Sequence, residues 1–427
     1  MKSVLCGLLL AAATVPVAVA ADSPATYIQA GRLLADPGTG RVETAKTIVV
    51  KDGRVVEIRD GYVGEGKVVD LRDAFVMPGF IDSHVHITGE SGPNERNDAL
   101  AKSATDAAFD GVVYAGRTLR AGFTTVIDLG GEPQAIYGLR DAIAAGKVEG
   151  PRIIAAGGVA AHGGHGDIHG YRQEILDLYR SPTLCSGADD CARAVRQAVQ
   201  SGADVIKTAS TGGVMSNTAA GLGQQMSDAE LVSIVETAHR LGRKVAAHAH
   251  GTDGVNAALR AGVDSVEHGT YLDAESIRLF KAKGSYLVPT LLAGDTVKQR
   301  SETAEWMPAP VRAKARQVGP QMVDMLRRAH KAGVKIAFGT DSGVSAHGDN
   351  AREFALMVQA GLTPLEAIRA ATVSAADHAG LQAEIGTLAA GKAADIVAVK
   401  GDPLTDIRAL ETTAFVMKGG KVAKASE

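Results

Sequence analysis

The stretch FIDSHVHITG, residues 80–89, follows Pro78-Gly79 and carries two histidines two positions apart in an otherwise apolar, β-like run. In a strand, side chains alternate between faces, so His84 and His86 project together while Val85 and Ile87 point the other way. Two neutral imidazoles side by side suit a metal ion; as ordinary packed histidines they would carry no chemistry. The rest of the chain has to decide between these.

Seven more short apolar segments follow: GFTTVIDLG (122–130), RIIAAGG (152–158), DVIKTAS (204–210), KVAAHAHG (244–251), VDSVEHG (263–269), YLVPTLL (286–292) and KIAFGTDSG (335–343). Most of the intervening stretches have helical periodicity, such as DAELVSIVETAHRLG (228–242). Eight strands alternating with helices predict an α/β chain with a parallel sheet and, by number, a closed (β/α)8 TIM barrel. The competing doubly wound open sheet lacks a GxGxxG turn after its first strand. In such a barrel the chemistry lies at the C-terminal ends of the strands. His84 and His86 end strand one, Lys207 sits in strand four, His248 and His250 end strand five, His268 ends strand six and Asp341 ends strand eight. Convergence of these N and O donors on one barrel mouth suits one or two Zn²⁺-like ions.

Lys207 needs a separate argument. An ammonium pointing into a barrel beside metal ions is expelled or deprotonated. As a carbamate formed with CO₂, it becomes an anionic ligand able to bridge two metals. A lysine snorkelling to the surface is the alternative.

The ends of the chain read differently. TIVVKDGRVVEI (47–58) is a hairpin pattern around Lys51-Asp52-Gly53. ADIVAVKGDP (394–403) and AFVMKGGKVAK (414–424) are strand-rich as well. Both ends are expected to combine into one small β-sandwich domain, residues 22–77 and 380–427, with a metal-dependent barrel, 78–379, inserted between them. The first residues, with Lys2, an apolar stretch and the small residues Ala18-Val19-Ala20, read as a secretory signal peptide over 1–21 rather than an uncleaved anchor. That predicts a periplasmic or secreted protein, free of the membrane after cleavage. Cys6 leaves with the signal, and Cys185 and Cys191 in LCSGADDC (184–191) are expected to pair as a short-loop disulfide in an oxidising compartment. With 45 Lys+Arg against 48 Asp+Glu in 427 residues, nothing argues for nucleic acid or an acidic membrane surface. A small-molecule partner is the natural one.

The ordered set HxH, Lys, His, His, Asp on successive strands resembles the amidohydrolase superfamily in its binuclear, carboxylated-lysine form, over nearly the whole mature chain. GGHGD (163–167), IKTASTGGVMS (206–216), AAHAHGTDG (246–254), DSVEHGT (264–270) and FGTDSG (338–343) are similar to the Xaa-Pro dipeptidase and imidazolonepropionase-like group that includes ochratoxin-hydrolysing amidohydrolases. The resemblance implies two divalent ions, zinc foremost: His84, His86 and Asp341 on a buried one, His248 and His268 on a more exposed one, and carboxylated Lys207 as the bridge. His250 shares the strand parity of His248 and is expected on the substrate side or supporting a ligand. It further implies a zinc-dependent amidohydrolase in which Asp341 takes a proton from a water activated between the ions and passes it to the leaving amine. His165, in the Gly-rich turn after strand three, is expected to contact the oxyanion or a substrate carboxylate; His347 is an outside candidate, and His169 is assigned no role.

The function implied is hydrolysis of an amide bond that releases a C-terminal amino acid from a dipeptide or an N-acyl amino acid, with ochratoxin A as a test substrate. The alternatives are ring opening of an imidazolone or lactone, against which Lys207 speaks, and a non-catalytic binding or assembly protein on the same fold, against which six filled ligand positions speak. A homo-oligomer is expected from the family alone.

Overall fold

The computed structural model describes residues 24–217 and 220–425. The expected signal segment, 1–21, and Cys6 lie outside the described residues. Among the described residues no helix is long and apolar enough to cross a membrane.

Both ends of the chain build one mixed seven-stranded sheet. Thr26–Leu33, Glu43–Lys51, Arg54–Asp60 and Lys67–Pro78 come from the N-terminal side; Ile396–Lys400, Thr413–Lys418 and Lys421–Lys424 come from the C-terminal side. The seam between them is antiparallel, with Ile396 opposite Pro78 and Lys400 opposite Ala74. The hairpin turn at Asp52-Gly53 has positive φ at both residues (50° and 79°), the geometry that matches the twist of the flanking strands. Arg54 bridges to Ala393 and the Gly53 carbonyl accepts the Ala394 N–H, so the sheet rolls over a core that includes Ile28, Leu33, Ile48, Leu71, Phe415 and Met417. Strand Lys67–Pro78 serves two cores at once. Val76 faces this one, whereas Phe75 and Met77 belong to the core of the barrel.

A single residue, Gly79, separates that strand from the first barrel strand. The eight barrel strands are Phe80–Val85, Phe123–Asp128, Arg152–Gly158, Val205–Ala209, Lys244–Ala249, Ser265–His268, Tyr286–Val288 and Lys335–Ile336, parallel and in sequential order. The barrel closes where Ser83 donates to the Phe338 carbonyl (2.8 Å), Asp341 to the His84 carbonyl (2.7 Å) and His86 to the Ser342 carbonyl (2.7 Å). Each strand falls within the segment expected for it, but the last two are shorter. Strand seven stops before Pro289, which has no N–H to donate, and the Leu291-Leu292 expected in it open a helix instead. Strand eight loses regular pairing after Ile336, so Asp341 lies beyond the strand rather than at its end.

Two excursions rise over the barrel mouth. Between strands seven and eight, the helices Leu291–Thr303 and Ala309–Lys331 form a cap whose axes meet at glycines: a Cβ on Gly319 would come within 2.9 Å of the Gly294 carbonyl oxygen. After strand three, the chain runs out and returns through the paired segments Ala160–Ala161 and Leu184–Cys185. The expected Cys185–Cys191 disulfide is present, tying this return to helix Ala188–Gln200. Closing so short a loop contributes about 2 kcal/mol through the unfolded state. A Cys185→Ala/Cys191→Ala double variant should therefore lose about 2 kcal/mol in urea unfolding; an unchanged midpoint would show the cross-link to be dispensable.

Candidate metal centre

Strand alternation does what the HxH spacing promises. His84 and His86 turn to the same side, and one carboxylate oxygen of Asp341 (Oδ1) lies 3.4 Å from His84 Nε2 and 3.1 Å from His86 Nε2. Neither approach is directed as a hydrogen bond, so this buried oxygen has no partner of its own. The other ring nitrogens are occupied: His84 Nδ1 lies 2.8 Å from Glu267, and His86 Nδ1 2.7 Å from the Gly130 carbonyl. Acceptors behind each Nδ1 fix the tautomer that leaves Nε2 unprotonated and free to bind a cation.

On the opposite wall, His248, His250 and His268 offer three more nitrogens mutually within 4.8 Å, as do the donors of His84, His86 and Asp341. His250 Nδ1 is 2.8 Å from Thr270 Oγ1 and His268 Nδ1 is 2.7 Å from Thr290 Oγ1, which orients both rings. All three donors of this wall thus converge, including His250. Lys207 sits between the walls, its Nζ 3.5 Å from His84 Nε2. Burial pulls its ammonium below the ordinary lysine range. Burial also holds His84, His248 and His268 neutral, well below the usual imidazole range, with Lys207 adding to each. Two sets of converging imidazole nitrogens, a buried carboxylate oxygen without a hydrogen bond and a buried lysine between them fit a pair of divalent cations.

Backbone strain marks the same place. His268, Thr290 and Asp341 have φ of 70°, 50° and 58°, a region that side chains other than glycine rarely enter. At His268 the strain has a visible effect. Glu267 already points inward, to His84 and to Ser265 Oγ (2.6 Å), so regular alternation would send His268 outward. The left-handed turn brings it back.

These groups line one cavity of about 730 Å³. The cap contributes Gly294, Val297, Val318 and Met322 to its wall, and the excursion after strand three contributes Ile168, Tyr179 and Leu184. Apolar surface dominates. His165 is in this wall, its ring 4.0 Å from that of His248. Burial brings His165 down to about 3 and His250 to about 4, so both are neutral hydrogen-bonding groups. His347 is elsewhere: it bonds the Gly89 carbonyl (2.8 Å) and stacks on Tyr114. His169 bonds the Gly164 carbonyl within its own loop, and His162 is exposed.

Sequence reasoning missed the supporting layer. Besides Glu267, Asp82 holds the strand-eight segment through Thr340 Oγ1 (2.6 Å) and Asn350 Nδ2 (2.8 Å). Glu353 accepts the N–H groups of Leu291 and Leu292 (2.9 and 2.6 Å), capping the first cap helix next to Thr290. Complete burial pushes the Glu353 carboxyl up to about 8 from an ordinary 4.5. The native state then keeps a proton that the unfolded chain has released, so this group's contribution to stability falls as pH rises from about 4.5 to about 8. Glu353→Gln should flatten the decline by up to roughly 1.4 kcal/mol per pH unit within that window. Urea midpoints at pH 5, 6.5 and 8 check this, and parallel slopes for parent and variant would refute it.

Comparison with known families decides the lineage. The model of the amidohydrolase family matches residues 75–423. The chain belongs to the amidohydrolase family. This amidohydrolase is 34% identical over 433 residues to the ochratoxinase of Aspergillus niger, covering 94% of this chain and 87% of that protein. It resembles the crystal structure of a Xaa-Pro dipeptidase with methionine bound in the active site, at a TM-score of 0.89 and 39% identity, over 93% of this chain and 99% of the other. A prolidase complexed with N-methylphosphonate-L-proline gives a TM-score of 0.86 at 31% identity, covering 94% of this chain and all of that one (100%). The amidohydrolase is accordingly a hydrolase, and a small molecule suits its cavity.

Proposed function

We propose that this hydrolase uses two divalent metal ions, zinc by the preference of imidazole and carboxylate donors, to cleave an amide bond and release a C-terminal amino acid from a dipeptide or an N-acyl amino acid. The observation that carries the reading is the pair of donor triads, His84/His86/Asp341 and His248/His250/His268, facing one apolar cavity with Lys207 between them. Once deprotonated, the Lys207 amine would add to CO₂ through a new N–C bond and shed a proton, giving an anionic carbamate available to both ions. His84, His86 and Asp341 would hold one ion and His248 and His268 the other, with His250 at the substrate side.

The ions, when bound, supply Lewis acidity and a water acidified to near neutrality. Asp341 takes the proton of the attacking water as its oxygen adds to the carbonyl carbon, and returns it to the amide nitrogen as the C–N bond breaks. Neutral His165 faces the carbonyl oxygen, where a hydrogen bond strengthens as negative charge develops. The apolar wall receives the acyl or side-chain group, and relatives named for ochratoxin and Xaa-Pro hydrolysis support both substrate types. The first residues are read as an export signal, with the Cys185–Cys191 disulfide in favour of an oxidising compartment, periplasmic or extracellular. Self-association into a homo-oligomer completes the proposal.

The test is a release assay on metal-loaded mature protein with a panel of dipeptides, N-acyl amino acids and ochratoxin A. Liberation of the C-terminal amino acid is expected. Metal-replete protein that is silent on amides but opens lactones or imidazolones would overturn the reading.

A further inference from the structure

His165 sits on a loop, and a loop side chain meets a reacting carbonyl reproducibly only if something holds it. Three contacts do. Its backbone N–H donates to Gln225 Oε1 (2.7 Å), its Nδ1 lies 2.7 Å from Ser216 Oγ, and its ring covers the backbone of Gly213, where any Cβ would collide with it. Ser216 and Gly213 belong to the loop after strand four, which forms no helix or strand there.

The grip on that loop comes from the cap. Lys314, buried at 8% exposure on helix Ala309–Lys331, places Nζ 2.8 Å from the carbonyl oxygens of both Gly213 and Ser216. Burial alone pulls its ammonium below the ordinary lysine range, and the two carbonyls replace the water it has lost. Lys314, Val318 and Met322 are spaced i, i+4 and i+8, so one stripe of the helix carries both the grip and part of the apolar wall.

We propose that Lys314 is a positioning residue for His165: by pinning the carbonyls of Gly213 and Ser216 it sets the Ser216 hydroxyl against Nδ1 and turns Nε2 to the reacting carbonyl. This rests on the role given to His165 above. Because Val318 and Met322 share the stripe, an apolar group seated against the cap presses on the helix that aligns His165.

The experiment is a mutant cycle on metal-loaded full-length mature protein, with the best substrate of the panel. Lys314→Met and Ser216→Ala should each lower kcat on the order of tenfold with KM little changed, at parent metal content, and Lys314→Arg should recover most of the loss. Added to His165→Ala, neither should cost anything further. Additive losses, or a Ser216→Ala enzyme with parental kcat, would overturn the proposal. Should Lys314→Met fold poorly, Ser216→Ala decides alone. If His165→Ala turns over normally, it is the assigned role of His165 that has failed. The ¹⁵N signals of its ring then still judge the positioning: one fixed tautomer in the parent and an averaged ring in Lys314→Met support it, and identical signals refute it.

Discussion

Lys207→Ala should lose on the order of 10³-fold in kcat/KM, because the Lewis-acid stabilisation at stake is worth several kcal/mol and each decade of rate corresponds to about 1.4. The substitution removes the group lying 3.5 Å from His84 Nε2 between the two donor walls. Metal content by mass spectrometry should fall from two ions per chain to one or fewer, since on the proposed reading both walls lose a shared anion. Protein loaded with metal in CO₂-free buffer should recover activity when bicarbonate is added, as an amine and not a carbamate is then the resting group. A Lys207→Ala enzyme that keeps two ions and more than a tenth of its activity would remove the bridge from the mechanism.

The second large effect is expected at Asp341. Asparagine keeps its size and tolerates the left-handed backbone, φ 58°, better than most residues, so the fold should stand and the melting temperature should move little. What disappears is the anionic oxygen that lies against His84 and His86 without a hydrogen bond of its own. A lost general base costs roughly 10²- to 10⁴-fold, and it should appear in kcat rather than KM. The acidic limb of the pH–rate profile should vanish with it. Retention of that limb in Asp341→Asn would assign the proton transfer to another group.

The sequence yielded the barrel because its signals are periodic. His84 and His86 share a strand face, Lys207 keeps the inward parity of its strand, and five of the eight apolar segments carry donor side chains at or near their C-terminal ends. The inward placement of His268 on strand six was expected for an incomplete reason. Regular alternation cannot turn Glu267 and His268 inward together, and only the positive φ at His268 allows it. No pattern in VDSVEHG announces that strain. Asp341 was placed at a strand end, yet it lies in an irregular segment held through Thr340 and Asn350 by Asp82, which nearly the whole barrel sequence separates from them. Lys314 and Glu353 were invisible for a similar reason: both lie on helices, where a buried charge reads as surface until the contact it makes is known. Helical periodicity reports which face is apolar, and not which loop a lysine reaches.

The strand Lys67–Pro78, which lends alternate residues to two cores and receives Ile396–Lys400 along its edge, has a consequence for how the chain is made. The early strands cannot complete their sheet until the very end of the polypeptide has been synthesised. Until then an unpaired edge and half a core stand open, and long-range pairing of this kind is slow. A nascent chain whose early strands wait for distant partners keeps this seam open through most of its synthesis, and the two cores close together only when those strands meet.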